Sequence, residues 1–108
     1  FWLLFADLIP PMVVITKRIL NEFGRRHPDA AEALNGWYDA IVGADWKNLN
    51  DVRRQFNNVD YVGNERFVFN IRGNKYRLIA MIFFDKRTLF VRFVGTHSEY
   101  DRIDAKTV

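Results

Sequence analysis

The sequence predicts one α+β domain, in which an N-terminal strand and a helical hairpin pack on an antiparallel β-sheet that ends in a short C-terminal helix. Three observations predict it. Apolar residues recur at helical spacing through the first half of the chain and with period two from Tyr61 onward. Helix-start signals fall at Thr16, Asp29 and Thr96, and turn signals at Gly63-Asn64, Gly73-Asn74 and Asp85-Lys86-Arg87. At 108 residues, 49% hydrophobic and 16% aromatic, the chain is long enough for one core and too short for two.

The elements follow in order. Met12-Val13-Val14-Ile15 is a β-branched run that reads as a strand, with Thr16 capping the helix after it. In that helix Ile19, Leu20 and Phe23 share a face, and Pro28 stops it. Asp29-Ala30-Ala31-Glu32 reads as a capping box opening a second helix to about Gly43, with Leu34, Trp37 and Ile41 on its buried stripe. A short helix is expected from about Asn50. Strands follow at Arg66 to Ile71, Lys75 to Phe84 and Thr88 to Val94, joined by tight turns into a meander. Thr96-His97-Ser98-Glu99 is a second capping box, so a helical turn carries His97 and Tyr100. An antiparallel sheet covered by helices on one face leaves its other face for a partner.

Residues 1–11 are apolar, end in Pro10-Pro11 and precede Met12. They are too few for a membrane-spanning helix and carry no leading basic residue. They read as upstream or extraneous sequence, which leaves 12–108 as the domain and gives no reason to expect a membrane partner.

Cysteine is absent and only two histidines occur, so a disulfide framework, thiolate ligation and a dedicated zinc site are not expected. No Gly-rich phosphate loop, nucleophile elbow or carboxylate cluster is present. The expectation is therefore no cofactor and no metal. Net charge is only +3, but from Arg66 to Arg92 seven basic residues meet Asp85 as the sole acid. Arginine's planar fork suits phosphate, so that segment reads either as a polyanion-binding surface or as a solvated, salt-bridged sheet face.

Strand alternation puts Lys75 and Arg77 on one side, about 7 Å apart, with Arg66, Val68, Asn70 and Arg72 aligned on the neighbouring strand. A phosphate between Lys75 and Arg77 would relieve their repulsion; ordinary hairpin-end polarity is the other reading. His97 and Tyr100 stand three apart, on one face of a helical turn. Histidine is the residue type that titrates near neutrality, and either residue serves equally well as packing. His27, beside Pro28, reads as a helix-terminal charge or cap. Cleavage of RNA needs no metal, because the 2′-hydroxyl is an internal nucleophile that requires only a base, an acid and cations for the developing charge.

Phe67-Val68-Phe69-Asn70-Ile71-Arg72-Gly73-Asn74-Lys75-Tyr76-Arg77-Leu78, followed by Arg92-Phe93-Val94-Gly95-Thr96-His97-Ser98-Glu99-Tyr100-Asp101-Arg102-Ile103, resembles the signature of HigB toxins, which are RelE-like. His27-Pro28-Asp29-Ala30 and Ala44-Asp45-Trp46-Lys47 are also similar to that family, so the likeness runs from Met12 to Val108. The resemblance implies a RelE-like microbial ribonuclease fold, mRNA cleavage on the ribosome in the cytoplasm, and a HigA-like helix-turn-helix antitoxin, with DNA contacted only through that antitoxin. It places Arg77 where the family keeps an arginine for the scissile phosphate. His97 falls where many RelE relatives carry a catalytic arginine, and Tyr100 is displaced from the C-terminal tyrosine of some relatives. The expected catalytic residues are thus Arg77, His97, Lys75 and Tyr100, and the expected RNA-binding residues Arg66, Asn70, Arg72 and Arg92. A non-catalytic RNA-binding or regulatory module on the same fold, or a purely structural protein interface, is the competing reading.

Overall fold

The computed structural model describes residues 12–108, so the reading of residues 1–11 lies outside the described residues. Among the described residues the order is β1 (Val13–Ile15), α1 (Lys17–Arg26), α2 (Pro28–Val42), α3 (Leu49–Gln55), β2 (Asp60–Gly63), β3 (Arg66–Ile71), β4 (Tyr76–Phe83), β5 (Thr88–Thr96) and α4 (His97–Tyr100). The strands form one sheet in the order β1-β5-β4-β3-β2. β2 to β5 are an antiparallel meander, whereas β1 lies parallel to β5, from Val13 beside Thr88 to Ile15 beside Phe90. The sheet is therefore mixed rather than wholly antiparallel, because the first strand docks on the edge left by the last.

The helical hairpin covers one sheet face. α1 buries Leu20 and Phe23, and α2 buries Ala30, Leu34, Trp37 and Ile41, a stripe three and four residues apart. The two helices approach closely at Gly24, where an added Cβ would stand 3.3 Å from the Ala31 Cβ. Against them pack Phe67 and Phe69 of β3, Tyr76, Leu78, Ala80 and Ile82 of β4, and Leu89, Val91 and Val94 of β5. Each of the large, fully buried side chains contributes about 1.5–3 kcal/mol by leaving water.

Two helix starts differ from expectation. Thr16 precedes α1 but adopts a left-handed backbone (φ 69°), and its hydroxyl donates to the Val91 carbonyl at 2.9 Å instead of capping. α2 begins at Pro28 with His27 at the cap position, so Asp29 sits inside the first turn and its carboxylate is free for tertiary bonds. The third start is as expected: Thr96 Oγ1 accepts from Glu99 N at 3.2 Å while Glu99 Oε1 accepts from Thr96 N at 2.9 Å.

The second sheet face is only partly wet. Val68 and Ile79 lie on it, paired across β3 and β4, yet both are buried. The C-terminal segment returns to this face: the Val108 main-chain oxygen accepts from Arg66 Nε at 3.0 Å and Nη2 at 2.9 Å and from Arg92 Nε at 3.3 Å, and the Lys106 carbonyl accepts from Asn64 Nδ2 at 3.1 Å.

Candidate active site

The site forms where β4 starts and β5 ends. Register places Asn70, Arg77 and Gly95 side by side on β3, β4 and β5, on the face away from the helices. A Cβ at Gly95 would lie 2.5 Å from Phe93 Cζ, so a side chain there would have to displace the Phe93 ring. The Phe93 ring thus lies across Gly95 and reaches Tyr100, centroid to centroid 6.5 Å. The Arg77 guanidinium stands over the Tyr100 ring at 5.9 Å, a cation–π contact.

The β3–β4 connection is a four-residue turn, Arg72 to Lys75, closed by the Ile71 and Tyr76 pair; it is longer than the two-residue turn the sequence suggested. Its Asn74 carbonyl oxygen accepts from Arg77 Nη1 at 3.4 Å and from His97 Nε2. A carbonyl only accepts, so Nε2 carries the proton and Nδ1 of the neutral ring holds the lone pair. Arg77, His97 and Tyr100 are therefore brought together.

Lys75 is not part of this group. Alternation extended β4 one residue too far: Lys75 lies in the turn and its Nζ is 2.5 Å from Asp29 Oδ2. Arg72 also leaves the row of Arg66 and Asn70, because its left-handed backbone (φ 53°) turns it toward α2, where Nη1 donates to the Asp29 carbonyl at 3.0 Å and Nε lies 3.7 Å from Oδ2. Asn70 remains exposed beside Arg77. Arg66 and Arg92 hold Val108, as described above.

Sequence reasoning missed Asp29 as a site neighbour. Its carboxylate accepts from the Tyr76 hydroxyl at 2.7 Å as well as from Lys75. The Lys75 hydrogen bond, then that of Tyr76, hold the Asp29 carboxyl down to about 2, and bonding to Asp29 raises both Lys75 and Tyr76 above their ordinary values. The clue available beforehand was that Arg72 and Lys75 had no acid nearby in sequence. His27 stacks on Phe23 at 4.3 Å, in keeping with a helix-end role. Glu99 is also held below its usual range, first by the Thr96 backbone N–H.

A cleft of about 710 Å³, lined by Arg26, His27, Lys75, Tyr76, His97 and Ser98 among others, opens on the flank of His97. A second, of about 810 Å³, lies at the other end of β4 among Tyr61, Phe67, Phe83 and Phe84 and contains none of the expected catalytic residues.

Comparison with known proteins turns on the stretch that carries this group. The sequence pattern described as HigB_toxin, RelE-like toxic component of a toxin-antitoxin system, matches residues 30–103. This chain belongs to the HigB toxin family. An mRNA interferase HigB of Escherichia coli O6:H1 is 33% identical over 94 residues, spanning 85% of this chain and 91% of that protein. The mRNA interferase toxin HigB of Escherichia coli K12 and the mRNA interferase HigB of Shigella flexneri are each 30% identical over 93 residues, 83% of this chain and 88% of theirs. The α+β architecture expected from the RelE-like resemblance is the one observed, with the mixed sheet as its refinement. As a HigB toxin the protein is one half of a toxin–antitoxin pair, which implies an antitoxin partner. Arg77, His97 and Tyr100 all fall within the matched segment.

Proposed function

We propose that this HigB toxin is an endoribonuclease that cuts messenger RNA on the ribosome, in the cytoplasm, using the RNA 2′-hydroxyl as nucleophile and no bound metal. The observation that carries the reading is the meeting of Arg77 and His97 at the Asn74 carbonyl, with Tyr100 under the guanidinium, in a protein whose relatives are named mRNA interferases.

Arg77 supplies a permanent charge and a planar fork for the scissile phosphate. His97 Nδ1 takes the 2′-hydroxyl proton, the 2′-oxygen bonds to phosphorus, and the bond to the 5′-oxygen breaks as that oxygen takes up a proton. A 2′,3′-cyclic phosphate and a 5′-hydroxyl result. Positioning and electrostatics do most of this work, since the nucleophile is already tethered beside the phosphorus. Tyr100 and Phe93 offer rings on which a base can stack. Asn70 contacts the RNA from beside Arg77, and Arg72 from the turn, where it is turned toward α2. Lys75 acts from the turn, beside Asp29. Arg66 and Arg92 join the RNA contact by releasing Val108.

The antitoxin we infer is HigA-like, a helix-turn-helix protein through which alone the pair touches DNA. Among the described residues no helix is long and apolar enough to cross a membrane. Mapping 5′ ends of cellular mRNA after brief induction tests the reading. New ends inside translated frames, relieved by co-expressed antitoxin, are expected; growth without arrest despite good expression contradicts it.

A further inference from the structure

We propose that Asp29 is a positioning residue for this reaction: it anchors the Arg72–Lys75 turn and thereby fixes the Asn74 carbonyl that aims His97 and Arg77. The inference rests on the site reading above, but its structural half stands on geometry alone.

Asp29 sits in the first turn of α2, outside the Asn74, Arg77 and His97 group itself. From there it grips the turn on both sides of Gly73-Asn74. Before it, Arg72 donates Nη1 to the Asp29 carbonyl at 3.0 Å; after it, Lys75 Nζ meets Oδ2 at 2.5 Å and the Tyr76 hydroxyl meets Oδ1 at 2.7 Å. The turn needs such a brace. Arg72 and Gly73 both have left-handed backbones (φ 53° and 63°), a conformation a non-glycine residue adopts at a cost. Tyr76 is buried and packs edge-on against Phe23 at 5.3 Å, so the brace is tied into the core.

The chemical consequence runs through one oxygen. While the Asn74 carbonyl stays in place, His97 donates from Nε2 and presents Nδ1 as the lone-pair nitrogen. If the turn drifts, the ring loses its fixed tautomer and orientation, and Arg77 loses the acceptor that holds Nη1.

The test is Asp29→Asn, which keeps size, an acceptor oxygen and the main-chain bond from Arg72 but removes the charge that grips Lys75 and faces Arg72 Nε. Two quantities are read: single-turnover cleavage of saturating ribosome-bound mRNA, and the 15N shifts of the His97 imidazole in the free protein, taken where the ring is neutral. The expected result is cleavage slowed by about 10- to 100-fold with ribosome binding retained, together with His97 nitrogens that move from one defined tautomer toward averaged values. Unchanged His97 shifts overturn the proposal whatever the rate does, since a slower rate then has another origin. A wild-type rate with averaged shifts overturns the positioning role. Tyr76→Phe, which removes only the phenol bond, decides the matter if Asp29→Asn does not fold, with the same direction expected in both readouts and no change in either overturning it. Should wild type itself fail to cleave, the ribonuclease reading falls while the imidazole shifts still report on Asp29.

Discussion

His97 and Arg77 donate to one acceptor, the main-chain carbonyl oxygen of Asn74, His97 from Nε2 and Arg77 from Nη1 at 3.4 Å. Sharing an oxygen brings a permanent cation and an imidazole together at one point of the turn. In the proposed reaction the guanidinium holds the phosphate and the ring acts as the base beside it.

Arg77→Ala is expected to abolish toxicity while leaving the fold intact. Arg77 is half-buried on the sheet face away from the core, and its loss removes about 2–4 kcal/mol of stabilisation from an anionic transition state. Growth after induction and thermal melting of the purified variant check this; arrest like wild type removes Arg77 from the site.

Gly95→Ala is expected to impair cleavage more than folding. The new methyl would meet the Phe93 ring at 2.5 Å and the Glu99 carboxylate at 3.0 Å, displacing the ring beside Tyr100 and pressing on the cap of α4. Overpacking of this kind costs about 1–3 kcal/mol. Melting temperature and cleavage rate, measured together, should show a modest fall in the first and a large one in the second.

Asp29 also makes a prediction about acid stability. Its carboxyl is held down to about 2, from an ordinary value of 3.8, chiefly by the Lys75 and Tyr76 hydrogen bonds. A depressed folded-state value means that the stability this carboxylate contributes is fully present above 3.8 and is lost as pH falls through the window down to about 2. Wild type should therefore exceed Asp29→Asn in denaturant midpoint at neutral pH, and the gap should close across that window. A gap that is constant with pH would contradict the ion-paired carboxylate.

Local signals were the legible ones. The meander was readable from its period-two pattern and turn residues, and the Thr96 to Glu99 capping box from four adjacent positions. Arg77, His97 and Tyr100 come from that same contiguous hairpin and helix, so their meeting was within reach of sequence reasoning. What stayed hidden depends on distant partners. Asp29 carried the look of a helix cap, and nothing nearby announced a lysine 46 residues away. Alternation puts Lys75 and Arg72 on the strand face because it carries no mark of where a strand ends; left-handed backbone at Arg72 and Gly73 ends it. The three residues of β1 hold no direction signal, so its parallel pairing was not foreseen. The return of the C-terminal segment to Arg66 and Arg92 joins charges to a main-chain oxygen, which no side-chain pattern encodes.

In the proposed reaction Arg77 and His97 cut ribosome-bound RNA together, with His97 moving the proton. Single-turnover cleavage of ribosome-bound mRNA by wild type, His97→Gln and His97→Arg tests it most directly. Glutamine keeps size and hydrogen bonding but cannot titrate near neutrality, so His97→Gln should lose roughly 100-fold or more in rate with binding retained. His97→Arg should also be slow, since a permanent cation accepts no proton. Cleavage by His97→Arg at or above the wild-type rate would make His97 a phosphate-binding cation instead, and near-wild-type rates for both variants would contradict the account.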